Sequence, residues 1–366
     1  MKVLIINEMG HGRDSLERIS VAAQFIKETF HDSDVTLALR KPLDYKLYSR
    51  KHINRIILSP IESLSVSQSN SVNEAVFERY FSTPEKIALT KATWKSLIDE
   101  IRPDVVIADN APLSSLMGAF LGIKTIQIGT GEYLLTKGST SSKTNSINEQ
   151  MALALASSHN LTETLERSSS IVVNAPFLFD ANDAFGSVSY CHIDNEKDDD
   201  GGLNIDIFAY IKKNDPTRDL VLSALEDLNA EVDAKVLVIM PGIEPIMYKP
   251  NFELTPIFVR LQGALYNNPL VIHNFNSGML LEAIKNGSPS WGVPYMKEQT
   301  ALRANYTKLV SHPVSARSAN DIKSSLLVSL ENRRNNSDEV RKIWQKALKS
   351  GIQPLSQTLI RRMADF

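Results

Sequence analysis

The chain has a single cysteine, Cys191, in 366 residues. That excludes an internal disulfide framework and any metal cluster built from several thiolates. No charged neighbour pattern argues for a lowered thiol pKa, so Cys191 is read as an ordinary strand residue rather than a nucleophile. An excess of charge is missing too: 40 Lys and Arg stand against 42 Asp and Glu, a formal net charge of −2. The cations are spread along the chain with no basic block interleaved with aromatics, so nothing attracts it to nucleic acid or an anionic membrane. No apolar run approaches the roughly 18 residues that a bilayer-spanning helix needs. The opening MKVLIINEMG gives way early to Asn7-Glu8 and reads as a buried strand rather than a signal peptide. A cytoplasmic protein with no integral membrane segment is expected.

What is present is a globular composition, 43% hydrophobic and 22% charged, in a chain too long for one ordinary domain and suited to two. Short β-branched runs alternate with helical patterns, the signature of parallel α/β units. Strands are predicted at Val3–Ile6, Val35–Leu39, Ile56–Leu58, Val105–Ala108, Thr125–Ile128, Ile171–Asn174 and Val188–Cys191. Helices are predicted over Ser15–Phe30, Glu74–Tyr80, Pro84–Ile101, Pro112–Leu121 and Asn148–Ser168. Residues 59–73 and 130–147 are polar and lack periodicity, which reads as loops.

A charged, glycine-terminated stretch, Asp194 to Gly202, then marks a boundary. Asp198, Asp199 and Asp200 invite a metal reading, but the position between two α/β halves reads better as a solvated linker. The pattern resumes with strands at Ile207–Ile211, Lys235–Met240, Pro256–Leu261, Leu270–His273 and Ser290–Val293. Helices are expected at Thr217–Leu228, Gly278–Lys285, Gln299–Lys308 and Ala319–Glu331, then from Ser337 onward with a break at Gly351 to Pro354. The expected domains are residues 1–194, a linker at 195–204, and residues 205–350. Ligands of such sheets bind outside the carboxyl ends of the strands.

Four segments carry candidate chemistry. The first strand runs into EMGHGRDSLERI, where Gly10 and Gly12 permit a tight turn close to a ligand. His11 has the ordinary pKa best suited to a general base, and is otherwise an exposed loop histidine. Asp14 is a second base candidate, and otherwise caps the next helix. Asp109 ends the buried run Val105 to Ala108, where it either serves the site or caps the helix that Pro112 opens. Gly129-Thr130-Gly131-Glu132 follows the next strand.

The fourth segment, PLVIHNFNSGMLLEAIKNG, says most. A strand ends at His273-Asn274, passes a turn of small polar residues and enters a helix at Ser277-Gly278-Met279. Unpaired amides and the helix dipole favour an anion there. Glu282 is suited to hydroxyls of a ribose, or else adds favourable charge near a helix N-terminus. Glu298-Gln299 is suited to hydroxyls of a sugar, or else opens a helix.

This last arrangement resembles the donor-binding segment of GT-B glycosyltransferases, especially the UDP-glycosyltransferase-like and macrolide-glycosyltransferase-like enzymes. The resemblance implies two Rossmann-like domains facing across a cleft, with residues after about 351 crossing back to the first. It implies that the acceptor binds the first domain and a nucleoside diphosphate sugar the second, with no other cofactor and no metal. Related enzymes carry a His-Gly-Gly or His-Cys-Gly turn; counting back from Glu282, Asn274 takes the place of the His, and Phe275 and Asn276 those of the next two residues. Gly278 and the amides of Met279 and Leu280 then remain for the diphosphate, with His273 or Asn274 beside them. In the first domain, aligning Arg18-Ile19 with the family's Arg-Leu puts Ser15 at the catalytic His, while the glycine-to-Asp spacing makes Asp14 the base. Asp109 matches the family acid that holds the catalytic His.

The implied activity is inverting, metal-independent transfer to a hydroxyl acceptor: a surface glycan, a lipid-linked sugar or a small natural product. A non-catalytic GT-B partner and a GT-B-type sugar-nucleotide epimerase are the alternatives, and a homodimer is left open. A dinucleotide oxidoreductase is poorly supported, because no G-x-G-x-x-G follows the first strand with an acid near the end of the second.

Overall fold

The computed structural model describes residues 1–8, 13–39, 50–59, 72–131, 147, 149–151, 154–155, 169–178, 187–193, 202–243, 247–249, 251–256, 261–316 and 321–364. His11, the loops centred near 65 and 138 and the Asp198 to Asp200 run lie outside them, as does most of the helix expected over Asn148–Ser168. The chain divides into two compact units, one of Met1–Asp194 with Ile352–Phe366 and one of Asn195–Gly351.

In the first unit, the apolar runs form β1 (Lys2–Asn7), β2 (Asp34–Leu39), β3 (Arg55–Leu58), β4 (Val105–Asp109), β5 (Lys124–Gly129), β6 (Ser169–Val173) and β7 (Ser187–His192). They make one parallel sheet in the order β14-β7-β6-β5-β4-β1-β2-β3, where β14 is the short Gln353–Pro354 near the C-terminus. Val3, Leu4, Ile5 and Ile6 of β1 are all fully buried, as expected of a strand covered on both faces. The helices are α1 (Arg13–Thr29), α2 (Val72–Tyr80), α3 (Pro84–Ile101) and α4 (Pro112–Phe120), with α11 (Leu355–Ala364) returning from the end of the chain. Thr83 starts α3 by accepting from Lys86 N–H, Pro84 follows at the first turn, and Arg102 stops it in the left-handed region (φ 50°). α11 packs against α1 and buries Leu355, Leu359 and Met363.

The second unit repeats the plan. Its strands β8 (Ile207–Tyr210), β9 (Val236–Ile239), β10 (Met247–Lys249), β11 (Phe252–Thr255), β12 (Leu270–Ile272) and β13 (Ser290–Trp291) lie in the order β10-β11-β9-β8-β12-β13. All pairings are parallel except the β10–β11 hairpin. Strand periodicity sorts the core: Ile207, Ala209, Val236, Val238, Leu270 and Ile272 face one apolar layer, and Phe208, Leu237, Ile239 and Val271 the other. The helices are α5 (Arg218–Val232), α6 (Leu261–Leu265), α7 (Ser277–Asn286), α8 (Lys297–Thr307), α9 (Ile322–Glu331) and α10 (Arg333–Lys349).

One strand, Phe252–Thr255, was not expected from the sequence, and Leu261 opens a short helix. Most of the run expected as a strand at Pro256–Leu261 lies outside the described residues. In the tight turn before β11, Asn251 takes φ 57° and folds the strand back on β10.

Both sheets reverse their strand order next to the first strand of the unit. In the first unit β1 lies between β2 and β4, and in the second β8 lies between β9 and β12. The crevice at such a reversal, at the strands' carboxyl ends, is where open α/β sheets take ligands.

Candidate functional sites at the two strand-order reversals

At the first reversal Asn7 and Asp109 are direct neighbours across β1 and β4. Asp109 is 1% exposed. Its carboxylate accepts from Arg18 Nε at 2.5 Å, Arg18 Nη2 at 3.2 Å and Asn7 Nδ2 at 2.7 Å. Ser15 Oγ joins the same group, accepting from Arg18 Nη2 at 2.8 Å and Asn7 Nδ2 at 3.2 Å. A fully buried guanidinium is tolerated only with a close carboxylate and further hydrogen bonds, and Arg18 has both. The sequence reading had Asp109 either holding a catalytic His or capping α4. Its partners among the described residues, which leave out His11, are Arg18 and Asn7, and the described cap of α4 comes from elsewhere. Asp14 is the second residue of α1.

The cap of α4 is Glu8, which the sequence reading passed over. Ala111, at the N-cap, has no side-chain oxygen, and Pro112 has no amide hydrogen. Glu8 accepts the next two amides, Leu113 N–H at 3.0 Å and Ser114 N–H at 2.7 Å, and a close hydrogen bond from the Ser114 hydroxyl. Burial pushes its carboxyl up to about 7, against the opposing pull of those bonds. Asn110, in between, turns the chain in the left-handed region at φ 45°, which asparagine tolerates.

At the second reversal, β12 hands over to α7. Ile272 pairs with Ala209 of β8, so His273 and Asn274 extend from the sheet beside the end of β8. His273 is 2% exposed with no hydrogen-bond partner at either ring nitrogen among the described residues, and its burial depresses its pKa to about 3. It is therefore a neutral ring throughout the physiological range. Its backbone N–H donates to Trp291 O at 3.0 Å, and its carbonyl lies so close to Gly292 that a Cβ there would come within 1.5 Å.

Phe275, which the sequence resemblance sets at a glycine position of related enzymes, adopts the glycine-like conformation, φ 60°. Its ring is fully buried, 5.2 Å from the His273 ring and 6.2 Å from that of Tyr306 (centroid distances). The bulk that the sequence places on the turn is thus taken into the core, while the backbone keeps the bend.

Asn276 then caps α7, its side chain accepting Met279 N–H at 3.1 Å while its carbonyl accepts Leu280 N–H at 2.9 Å. The Met279 and Leu280 amides, expected to be available, are thereby used. The N–H groups of Ser277 and Gly278 have no acceptor among the described residues. These two amides and the dipole behind them make the turn able to hold an anion.

Glu282 is the sixth residue of α7, beyond the first turn where a favourable helix-dipole effect operates, and it pairs with Lys285 Nζ at 3.5 Å. Gln299 spends its side-chain carbonyl on the start of α8, accepting from Tyr295 N–H at 3.0 Å and Met296 N–H at 3.2 Å. The side chain of Glu298 lies outside the described residues. Among the described residues no group of His, Cys, Asp and Glu is placed to hold a metal ion, and no helix is long and apolar enough to cross a membrane.

The chain is similar over its whole length to several solved glycosyltransferases. Glycosyltransferase VinC, in complex with DTDP, is 13% identical with a TM-score of 0.66, over 100% of this chain and 99% of that one. The spinosyn rhamnosyltransferase SpnG, complexed with thymidine diphosphate, is 12% identical with a TM-score of 0.65, over 100% of both chains. The glycosyltransferase SnogD from Streptomyces nogalater is 15% identical with a TM-score of 0.63, over 100% of this chain and 99% of that one. No family model and no curated protein matches the sequence. The likeness establishes the fold: the chain has the GT-B architecture of two Rossmann-like α/β units.

Proposed function

We propose that this protein is an inverting glycosyltransferase that moves a sugar from a nucleoside diphosphate to an acceptor hydroxyl. The observation that carries the reading is the turn from Asn274 to Gly278. It keeps a glycine-type bend through Phe275 and presents the Ser277 and Gly278 amides at the N-terminus of a ten-residue helix. Thymidine diphosphate is the favoured nucleotide, because similar solved structures hold it.

In this reading the two amides and the α7 dipole receive the diphosphate as its bond to the anomeric carbon breaks, and the electron pair leaves with the phosphate oxygen. His273 adds no positive charge, being buried and neutral, and Asn274 adds an amide donor. Glu282 is assigned to the ribose and Glu298 with Gln299 to the sugar; Gln299 has its amide nitrogen for this, since its carbonyl caps α8. The acceptor belongs to the first unit, where His11, or Asp14 in its place, takes the hydroxyl proton as the oxygen attacks the face opposite the leaving group. No metal takes part in the proposed reaction, the phosphate charge being met by helix amides. Asp109, through Arg18, holds the first strand-order reversal in shape.

The test is thermal unfolding with dTDP, UDP and GDP. A ligand at 100 times its Kd raises stability by about 2.7 kcal/mol, so at least one nucleotide should shift the transition clearly. Slow donor hydrolysis without acceptor should accompany it and be reduced in His11→Ala or Asp14→Asn. No response to any nucleotide at millimolar concentration overturns the proposal, and interconversion of the sugar nucleotide instead of its hydrolysis replaces it with an epimerase.

A further inference from the structure

The two units make the same handover twice, from the strand beside the first strand into a helix: β4 into α4 in the first, β12 into α7 in the second. Each handover creates a helix N-terminus at a strand-order reversal, the ordinary place for a phosphate. The two differ in what fills them. At α7 the cap is a neutral amide, and the first two N–H groups have no acceptor among the described residues. At α4 the free amides are both taken by the carboxylate of Glu8, the residue that follows β1, itself 2% exposed. The neighbouring cation at this end of the sheet, Arg18, is bound to Asp109.

We propose that Glu8 is a specificity-determining residue: it occupies the anion position of the first unit, so that this unit takes only substrate whose reacting part is uncharged. The inference rests on the glycosyltransferase reading and narrows its acceptor. A phosphorylated sugar, or a sugar held on a lipid diphosphate, would bring negative oxygens to a helix terminus already satisfied by one. A hydroxyl on a neutral molecule meets no such conflict, and the nucleotide is directed to the second unit alone. Burial holds the Glu8 carboxyl near 7, so its negative charge is fullest above neutral pH. Among the described residues the groups that face its carboxyl are the Leu113 and Ser114 amides and the Ser114 hydroxyl, all uncharged, while Asp109 and Arg18 pair with each other.

The experiment uses the full chain with Glu8→Ala and Glu8→Gln, and inorganic pyrophosphate as probe. Gln has the size of Glu and its carbonyl still accepts an amide, whereas Ala leaves the α4 terminus open. In calorimetry with the α7 turn saturated by dTDP, wild type and Glu8→Gln should take up no pyrophosphate, and Glu8→Ala should gain one site. With acceptors offered as matched pairs, the wild type should use the neutral hydroxyl compound at least about tenfold better than its phosphorylated counterpart, and more so at pH 8 than at pH 6. Should Glu8→Ala not fold, Glu8→Gly and the wild-type acceptor comparison decide. Equal or better use of the phosphorylated acceptor, or a folded Glu8→Ala that gains no pyrophosphate site, overturns the proposal. Failure of every nucleotide to bind wild type would instead sink the transferase reading, while pyrophosphate titration of the uncomplexed variants would still report on Glu8.

Discussion

Phe275 offers an unusual comparison of alanine with glycine. Truncating a fully buried phenylalanine to alanine costs about 3–5 kcal/mol in lost burial and residual cavity. Here the ring also gives up its contacts with His273 and Tyr306. At an ordinary site glycine would be worse than alanine by up to about 1 kcal/mol, because it loses more backbone entropy on folding. At φ 60° the balance changes: a residue with a Cβ is disfavoured by about 1–2 kcal/mol in the left-handed region, and glycine is not. Phe275→Gly should therefore be at least as stable as Phe275→Ala, although it deletes one more carbon. Urea unfolding of both variants measures the difference, read from midpoints at constant slope. Where both remain folded, the glycine variant should also keep the dTDP-induced stabilisation of the wild type. A glycine variant less stable than the alanine variant by about 1 kcal/mol, the ordinary result, would refute a left-handed Phe275 and the glycine-like turn inferred from it.

Three further outcomes follow from polar groups at the two strand-order reversals. Asp109→Asn leaves the Arg18 charge without its carboxylate and should destabilise by about 3–5 kcal/mol; Arg18→Met combined with Asp109→Leu should recover much of that loss in urea unfolding. Asn276→Ala removes the α7 cap and should cost about 1 kcal/mol, with a weaker response to nucleotide in thermal unfolding. The pH dependence of stability has two opposed parts. Folding lowers the His273 pKa from 6.5 to about 3, so the unfolded chain binds the proton first. Its contribution is complete above pH 6.5 and is lost as pH falls towards 3, by about 2 kcal/mol at pH 5. Folding raises Glu8 from 4.5 to about 7, so its contribution is complete below pH 4.5 and is lost as pH rises through 7. His273→Asn should flatten the acid side of the stability profile and Glu8→Gln the neutral side; profiles unchanged by these substitutions would contradict both assignments.

Much of the fold was legible because it is carried by local patterns. Buried parallel strands announce themselves as apolar runs, and Pro84–Ile101 carries its own start and stop signals, so its predicted limits and those of α3 coincide. The turn after β12 was legible for the same reason, as a strand, small polar residues and a helix in succession. What stayed hidden depends on partners far away in the chain. Glu8 caps a helix more than one hundred residues later, and no spacing rule links them. Arg18 and Asp109 are 91 residues apart, so Asp109 looked like a lone acid at the end of a strand. The fit of Phe275 in the turn was hidden as well, because the sequence shows its size but not its φ, nor its ring's place beside His273 and Tyr306.

Phosphate oxygens should bind where β12 passes into α7. A crystal structure of the full chain with dTDP tests it most directly. Diphosphate oxygens should lie about 3 Å from the Ser277 and Gly278 amide nitrogens, a normal hydrogen-bond distance, with the Phe275 ring still in the core. A well-occupied nucleotide whose diphosphate lies elsewhere, leaving those two amides to solvent, would contradict it.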